Sequence, residues 1–88
     1  MAKSYEAFRE KLDAEHKWPT VYMFKFIVPQ DQADEMKNVF PQDEWKWEER
    51  KSKNGAYISF TSKRMIHDAD EVIEVYKTAH AITGLIAL

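Results

Sequence analysis

The sequence predicts an α+β domain: a four-stranded antiparallel sheet with two helices on one of its faces, preceded by an extra N-terminal helix. Three observations carry that expectation. Asn54-Gly55 lies between two extended runs, residues 44–52 and 56–62. This dipeptide favours a two-residue type I′ hairpin turn, which needs positive φ at both central positions. Residues 20–28 alternate Tyr22, Phe24, Phe26 and Val28 with Val21, Met23, Lys25 and Ile27. Both faces of that run are mostly apolar, the pattern of a central strand. Two further segments, one on either side of the hairpin, carry apolar residues at helical spacing between capping and breaking residues.

In chain order, Ser4 is placed to cap a helix over residues 5–15, with Tyr5, Phe8 and Leu12 on one narrow stripe. So narrow a stripe has to dock, either on its own domain or on a partner. Trp18-Pro19 ends the helix, because the residue before a proline avoids the helical region. In the strand over 20–28, Lys25 marks the outer face and the aromatic set marks the core. Pro29-Gln30-Asp31 closes that strand. Asp31 is the expected N-cap of a helix that buries Ala33, Met36, Val39 and Phe40 and stops at Pro41.

A turn at Asn54-Gly55 fixes the hairpin register. Lys53 faces Ala56, Ser52 faces Tyr57, Lys51 faces Ile58, Arg50 faces Ser59, Glu49 faces Phe60, Glu48 faces Thr61 and Trp47 faces Ser62. Trp45, Trp47, Ala56, Ile58 and Phe60 then share a core side, with Glu49 and Lys51 among them. Lys46, Glu48, Arg50, Tyr57, Ser59 and Thr61 share the wet side. The awkward pairing is Glu49 opposite Phe60. An inward charge is tolerated on an edge strand, which places residues 44–52 at an edge and 56–62 further inside. Residues 63–67 read as a connection. Asp68 with Glu71 three residues on forms a capping box for a second long helix, which buries Val72, Val75, Tyr76 and Ala79. Gly84 is its expected stop, and residues 85–88 form a short last strand.

Apart from the N-terminal helix, the order is strand, helix, strand, strand, helix, strand. Right-handed crossovers put both helices on one face of the sheet, the ferredoxin-like split βαβ plan, with the first and third strands central. Residues 1–18 are a helix and lead-in; residues 19–88 are a single domain.

Composition narrows the function classes. A chain of 88 residues forms one domain that buries roughly 60% of its unfolded surface. The net charge of −2 and the pI near 5.9 give no bulk attraction to nucleic acid or anionic lipid. The absence of cysteine points to a reducing cytoplasm. There is no N-terminal apolar region of the signal type, and no apolar run approaches the roughly 18 residues of a membrane span. The expectation is a soluble, unprocessed cytoplasmic protein without nucleic-acid or membrane partners.

Catalytic chemistry has little to stand on. His16, His67 and His80 are scattered, with no pair at metal-ligand spacing. Capping and the helix dipole account for Asp68, Asp70 and Glu71. Ser52 and Lys53 flank a turn with no evident base, and no glycine-rich phosphate loop is present. No enzyme activity, metal or cofactor is expected. The run Lys53-Asn54-Gly55-Ala56-Tyr57-Ile58-Ser59-Phe60 echoes an RNA-recognition strand, but Gly55 stands where one stacking aromatic belongs.

Several motifs together resemble the YbeD-like family of small bacterial proteins of unknown function. They are Trp18-Pro19 ahead of Phe24-Lys25-Phe26-Ile27, then Ser52-Lys53-Asn54-Gly55-Ala56-Tyr57-Ile58-Ser59, then Val72-Ile73-Glu74-Val75-Tyr76 and Gly84-Leu85-Ile86-Ala87-Leu88. The resemblance covers the chain from about Lys17 onward and implies a ferredoxin-like fold similar to the ACT regulatory domain, without catalysis. It brings no catalytic residues.

Two functions follow as expectations. One is a regulatory or protein-interaction module using an open sheet face of Lys25, Glu48, Arg50, Tyr57 and Ser59, where apolar, aromatic and charged groups mix as in non-obligate interfaces. The other is an ACT-like sensor of an amino acid or other metabolite, for which the junction Val28, Pro29, Gln30 and Asp31 is the candidate site. That junction lacks the glycine such a site would use, and Pro29 lacks an N–H donor. An RNA-binding module is a further alternative. The partner is a protein or a small molecule, and a homodimer is among the arrangements allowed.

Overall fold

A computed structural model describes residues 2–88 of the chain, with side chains from Tyr5 onward. The elements are α1 (Ala2–Glu15), β1 (Thr20–Pro29), a 3-10 turn (Gln30–Gln32), α2 (Ala33–Val39), α3 (Gln42–Trp45), β2 (Glu48–Lys51), β3 (Tyr57–Ile66), α4 (Ala69–Ala79) and β4 (Ile86–Ala87). The four strands make one antiparallel sheet in the order β2-β3-β1-β4, so β1 and β3 are central and β2 lies at an edge, as expected.

Ten-residue β1 and ten-residue β3 pair along their whole length, from Thr20 opposite Ile66 to Pro29 opposite Tyr57. Alternation then sends Phe24, Phe26, Val28, Ile58 and Phe60 to one side, where α2 and α4 cover them. Phe24, Phe26, Phe60, Met36, Val28 and Val72 are the largest fully buried side chains. Helix α1 docks on α4, with Phe8 edge-on to Tyr76 at 5.3 Å and Leu12 buried. Its stripe therefore packs on its own domain. Arg9 meets Asp70 at 2.7 Å, an exposed pair worth under about 1 kcal/mol. Ser4's capping role rests on a side chain outside those described; its backbone lies inside α1 rather than ahead of it.

The hairpin keeps the expected register: Glu48 opposite Thr61, Glu49 opposite Phe60, Arg50 opposite Ser59 and Lys51 opposite Ile58. Its turn differs. Ser52 N–H donates to Tyr57 O, leaving a four-residue loop in which Gly55 alone takes a positive φ of 74°. The Asn54 side chain accepts from Ala56 N–H at 3.0 Å, an Asx turn that needs no left-handed asparagine. Ala56 belongs to this loop and is exposed, not on the core side. The Glu49 carboxylate reaches Lys37 of α2 at 3.5 Å, which answers its awkward position.

Other boundaries moved for identifiable reasons. Residues 44–47 are not strand. Pro41, with φ −57°, starts the single turn α3, and Lys46 at φ 54° reverses the chain after it. Trp45 and Trp47 are still buried, their rings stacked 5.0 Å apart, with the Gln42 amide bonded to both backbone groups of Trp47. Residues 63–66 continue β3 instead of forming a connection, because β1 extends far enough to pair them. Asp31 lies within the 3-10 turn, and α2 is preceded by Gln32 without a side-chain cap.

Asp68 does cap α4, accepting from Glu71 N–H at 2.9 Å. The Glu71 carboxylate takes His67 N–H, one residue ahead of the usual box. Helix α4 buries Val72, Tyr76 and Ala79 as expected, and also Ala69 and Ile73. It ends at Ala79 with His80 as C-cap, so Gly84 is not its stop.

Gly84 serves a close approach instead. Its φ is 77°, and a Cβ there would lie 2.8 Å from Pro29 Cγ, a ring atom with no room to swing away. Gly55 shares the left-handed φ, but its nearest neighbour would be Gln30 Oε1 at 3.8 Å. Gly55→Ala is expected to cost about 1 kcal/mol of backbone strain. Gly84→Ala adds overpacking and is expected to cost about 2–4 kcal/mol. Urea unfolding of both variants checks this; equal losses would contradict the packing role of Gly84.

Candidate functional site

The parity that buries Phe24, Phe26 and Phe60 sends the intervening residues to the opposite side of the sheet. β1 contributes Val21, Met23, Lys25 and Ile27, and β3 contributes Tyr57, Ser59, Thr61, Lys63 and Met65. Glu48 and Arg50 join through their pairing with Thr61 and Ser59. Ile86 joins opposite Ile27, and Leu88 N–H donates to Lys25 O at the rim. No helix covers this side among the described residues, since α1 packs on α4 behind the sheet.

Burial here runs against ordinary expectation. Six large hydrophobic side chains are exposed among the described residues: Val21, Met23, Tyr57, Met65, Ile86 and Leu88, each at least 45% accessible. Five lie on the open face and Leu88 lies at its rim. Scattered exposed hydrophobics are normal on a soluble protein; their concentration on one face is not.

Polar residues occupy the middle of the same face. Lys25, Glu48, Arg50, Ser59 and Thr61 line a hollow of about 470 Å³. Next to it, Ile27, Arg50, Tyr57 and Ser59 border a smaller one of about 140 Å³. All five residues expected to form an interaction face, Lys25, Glu48, Arg50, Tyr57 and Ser59, are thus brought together. Arg50, rather than Glu48, is the charge beside Tyr57. Val21 and Met23 follow from the alternation along β1, whereas Met65 and Ile86 have no place on this face in the sequence reading. Met65 was hidden by reading residues 63–67 as a connection, although its alternation with Ile66 was a usable signal. Gly55 sits in the turn and Phe60 is fully buried, so Tyr57 is the one aromatic ring on the face among the described residues.

Of the four junction residues, Val28 and Pro29 are taken up by the fold, while Gln30 and Asp31 are exposed in the 3-10 turn. Val28 is in the core, Pro29 lies against Gly84, and Gln30 N–H donates to Ala56 O at 2.9 Å. A different concavity, of about 510 Å³, lies between α1, α4 and β1, with Phe8, Leu12, His16, Tyr22, Tyr76 and His80 in its lining. The Tyr22 and Tyr76 hydroxyls are 3.3 Å apart there. Burial pushes the Tyr76 hydroxyl well above the ordinary tyrosine value, and the hydrogen bond and charge of Tyr22 add to the shift. His16 packs edge-on to Tyr22 at 5.4 Å. Among the described residues, no group of three or more His, Asp or Glu is placed to hold a metal, and no helix is long and apolar enough to cross a membrane.

Comparison with protein-family models, curated proteins and solved structures finds no match to this chain.

The Tyr76 shift has a thermodynamic consequence with a definite sign. A hydroxyl held neutral by the fold binds its proton more tightly folded than unfolded. Its contribution is intact below the unfolded value of about 10 and is lost as pH rises above it. Urea midpoints measured across that range are expected to fall less steeply for Tyr76→Phe than for the parent. Identical alkaline slopes would contradict the assignment.

Proposed function

We propose that the chain is a non-catalytic regulatory or protein-interaction module of the YbeD-like kind, working in the cytoplasm through the open face of a ferredoxin-like, ACT-like sheet. The single observation that carries the reading is the gathering of Val21, Met23, Tyr57, Met65 and Ile86 on one uncovered face around a charged centre. An apolar patch rimmed and interrupted by polar residues is the composition of a non-obligate interface. The sheet order β2-β3-β1-β4, with α2 and α4 on one side, supports the ferredoxin-like plan. The absence of cysteine supports the cytoplasmic setting.

A metabolite sensor is the second reading, and a specific observation favours it. The concavity under α1 falls within the size range of small-molecule sites, and its aromatic lining carries a few convergent polar groups. A sensor of this design would bind there rather than at the junction of Val28 to Asp31, where Val28 is in the core and Pro29 lies against Gly84. An RNA-binding module has least support, since a single ring offers one stacking platform and stacking is worth about 1–3 kcal/mol per base.

Two measurements separate the first two readings. The Arg50→Glu, Tyr57→Ala double variant is expected to keep its unfolding midpoint and lose at least about tenfold in partner capture, because an interface depends on a few central aromatic and arginine anchors. An unchanged set of captured partners would remove the open face from consideration. Amide shifts in the ¹⁵N-labelled protein titrated with pooled amino acids would favour the sensor if they saturate and cluster around Tyr22, Tyr76 and His80.

A further inference from the structure

We infer that the open face docks on a second copy of this chain, the two sheets stacking face to face about a two-fold axis that crosses the strands between two particular rows of residues. This rests on the reading of the open face as an interaction surface. The registers of all four strands define the rows. One row runs Lys25, Thr61, Glu48; the next runs Ile27, Ser59, Arg50, with Ile86 beyond Ile27. A row of Met23 and Lys63 flanks the first, and a row of Pro29 and Tyr57 flanks the second.

A two-fold axis lying in the interface, perpendicular to the strands and midway between the two central rows, exchanges them. Each strand then lies over its own counterpart, as in an isologous interface. Glu48 comes over Arg50 of the second copy, and symmetry repeats the pair. Thr61 comes over Ser59, Met23 over Pro29, and Lys63 over the Tyr57 ring, a cation–π geometry. Lys25 lays its stem against Ile27.

Neighbouring registers do not share this match. An axis through the first row sets Lys25 on Lys25 and Glu48 on Glu48. An axis through the second sets Arg50 on Arg50. Moving it to the other side of the first row places Thr61 against Lys63 and Glu48 near Lys46, but it leaves Arg50 without an acidic opposite. The face is therefore self-complementary in charge at one register and repulsive at those on either side, which is how a specific interface excludes its alternatives.

Size and layering agree. Strands about 4.8 Å apart, rising about 3.4 Å per residue, give the face a projected area of roughly 420 Å². Side-chain relief brings the accessible area toward the roughly 800 Å² that each partner contributes to a standard interface. The product is a four-layer stack, helices outside and two sheets within, in which Met23, Ile27, Tyr57 and Ile86 become interior and Val21 and Met65 lie at its rim. Sheets packed in this way cross at about 30°, which leaves the central rows in contact.

Sedimentation equilibrium on the full chain, from low micromolar to several hundred micromolar, tests the inference together with charge-swap variants. The parent is expected to dimerise reversibly. Glu48→Arg and Arg50→Glu are each expected to weaken the dimer at least about tenfold, and the double swap to restore it to within about threefold. Met23→Glu, with an unchanged unfolding midpoint, is expected to give a monomer. A parent that stays monomeric throughout overturns the second copy as occupant; the open-face reading then stands or falls separately on the capture experiment with Arg50→Glu, Tyr57→Ala. A dimer insensitive to the single swaps and to Met23→Glu forms through another surface and likewise overturns the inference. A dimer weakened by the single swaps but not rescued by the double swap overturns the register and with it the inference.

Discussion

The ladder between β1 and β3 is the constraint on which the rest of the structure depends. Ten consecutive pairs fix which side of each strand meets the helices. A slip of β1 by one residue against β3 would turn Phe24 and Phe26 out and bring Met23, Lys25 and Ile27 in. The aromatic core enforces the register from one side: Phe26 stacks on Phe40 at 6.0 Å and meets Tyr76 edge-on at 5.7 Å. Helix α4 sits over that core because its Asp68 cap and its buried face place Val72, Tyr76 and Ala79 against the sheet. Once one side of the ladder is committed to the helices, everything on the other side is left to solvent or to a partner.

That division explains the character of the candidate site. The open face was not assembled residue by residue; it is the complement of a well-packed core. Its polar centre takes Glu48 and Arg50 from the short edge strand β2, whose four residues are all exposed, Lys25 from β1, and Ser59 and Thr61 from β3. Its apolar flank is supplied by β1, the far end of β3 and β4. An antiparallel sheet commonly leaves one face to water and lines it with polar residues, but β1 carries large apolar residues on both faces. The unusual feature is that no helix covers its second face among the described residues.

Legibility from sequence followed the physics of each signal. Period-two alternation in β1 and 3.6-residue spacing in α4 are collective signals, and both elements emerged nearly intact. The hairpin register survived a wrong turn type because a two-residue turn and the observed four-residue loop share the same pairing, Ser52 with Tyr57. Single-residue conformations were the weak point. Nothing local marks Lys46 as left-handed, so α3 was read as strand. Gly84 looked like a helix stop because its real neighbour, Pro29, is remote in sequence. The charged members of the open face were recognisable through the hairpin, whereas Met65 and Ile86 needed the full extent of β3 and the placement of β4. The concavity under α1 was not legible at all, since it exists only once α1 has docked on α4.

The ladder divides the domain into a dry side and an uncovered apolar side, and the methionines report on both. Relaxation of the methionine methyl signals by a soluble gadolinium chelate reads the division directly, under conditions where the chain is a single copy. Met23 and Met65 are predicted to be bleached strongly and alike, and Met36, fully buried beneath the sheet, to be spared. Shielded Met23 and Met65 signals, or a bleached Met36, would contradict it.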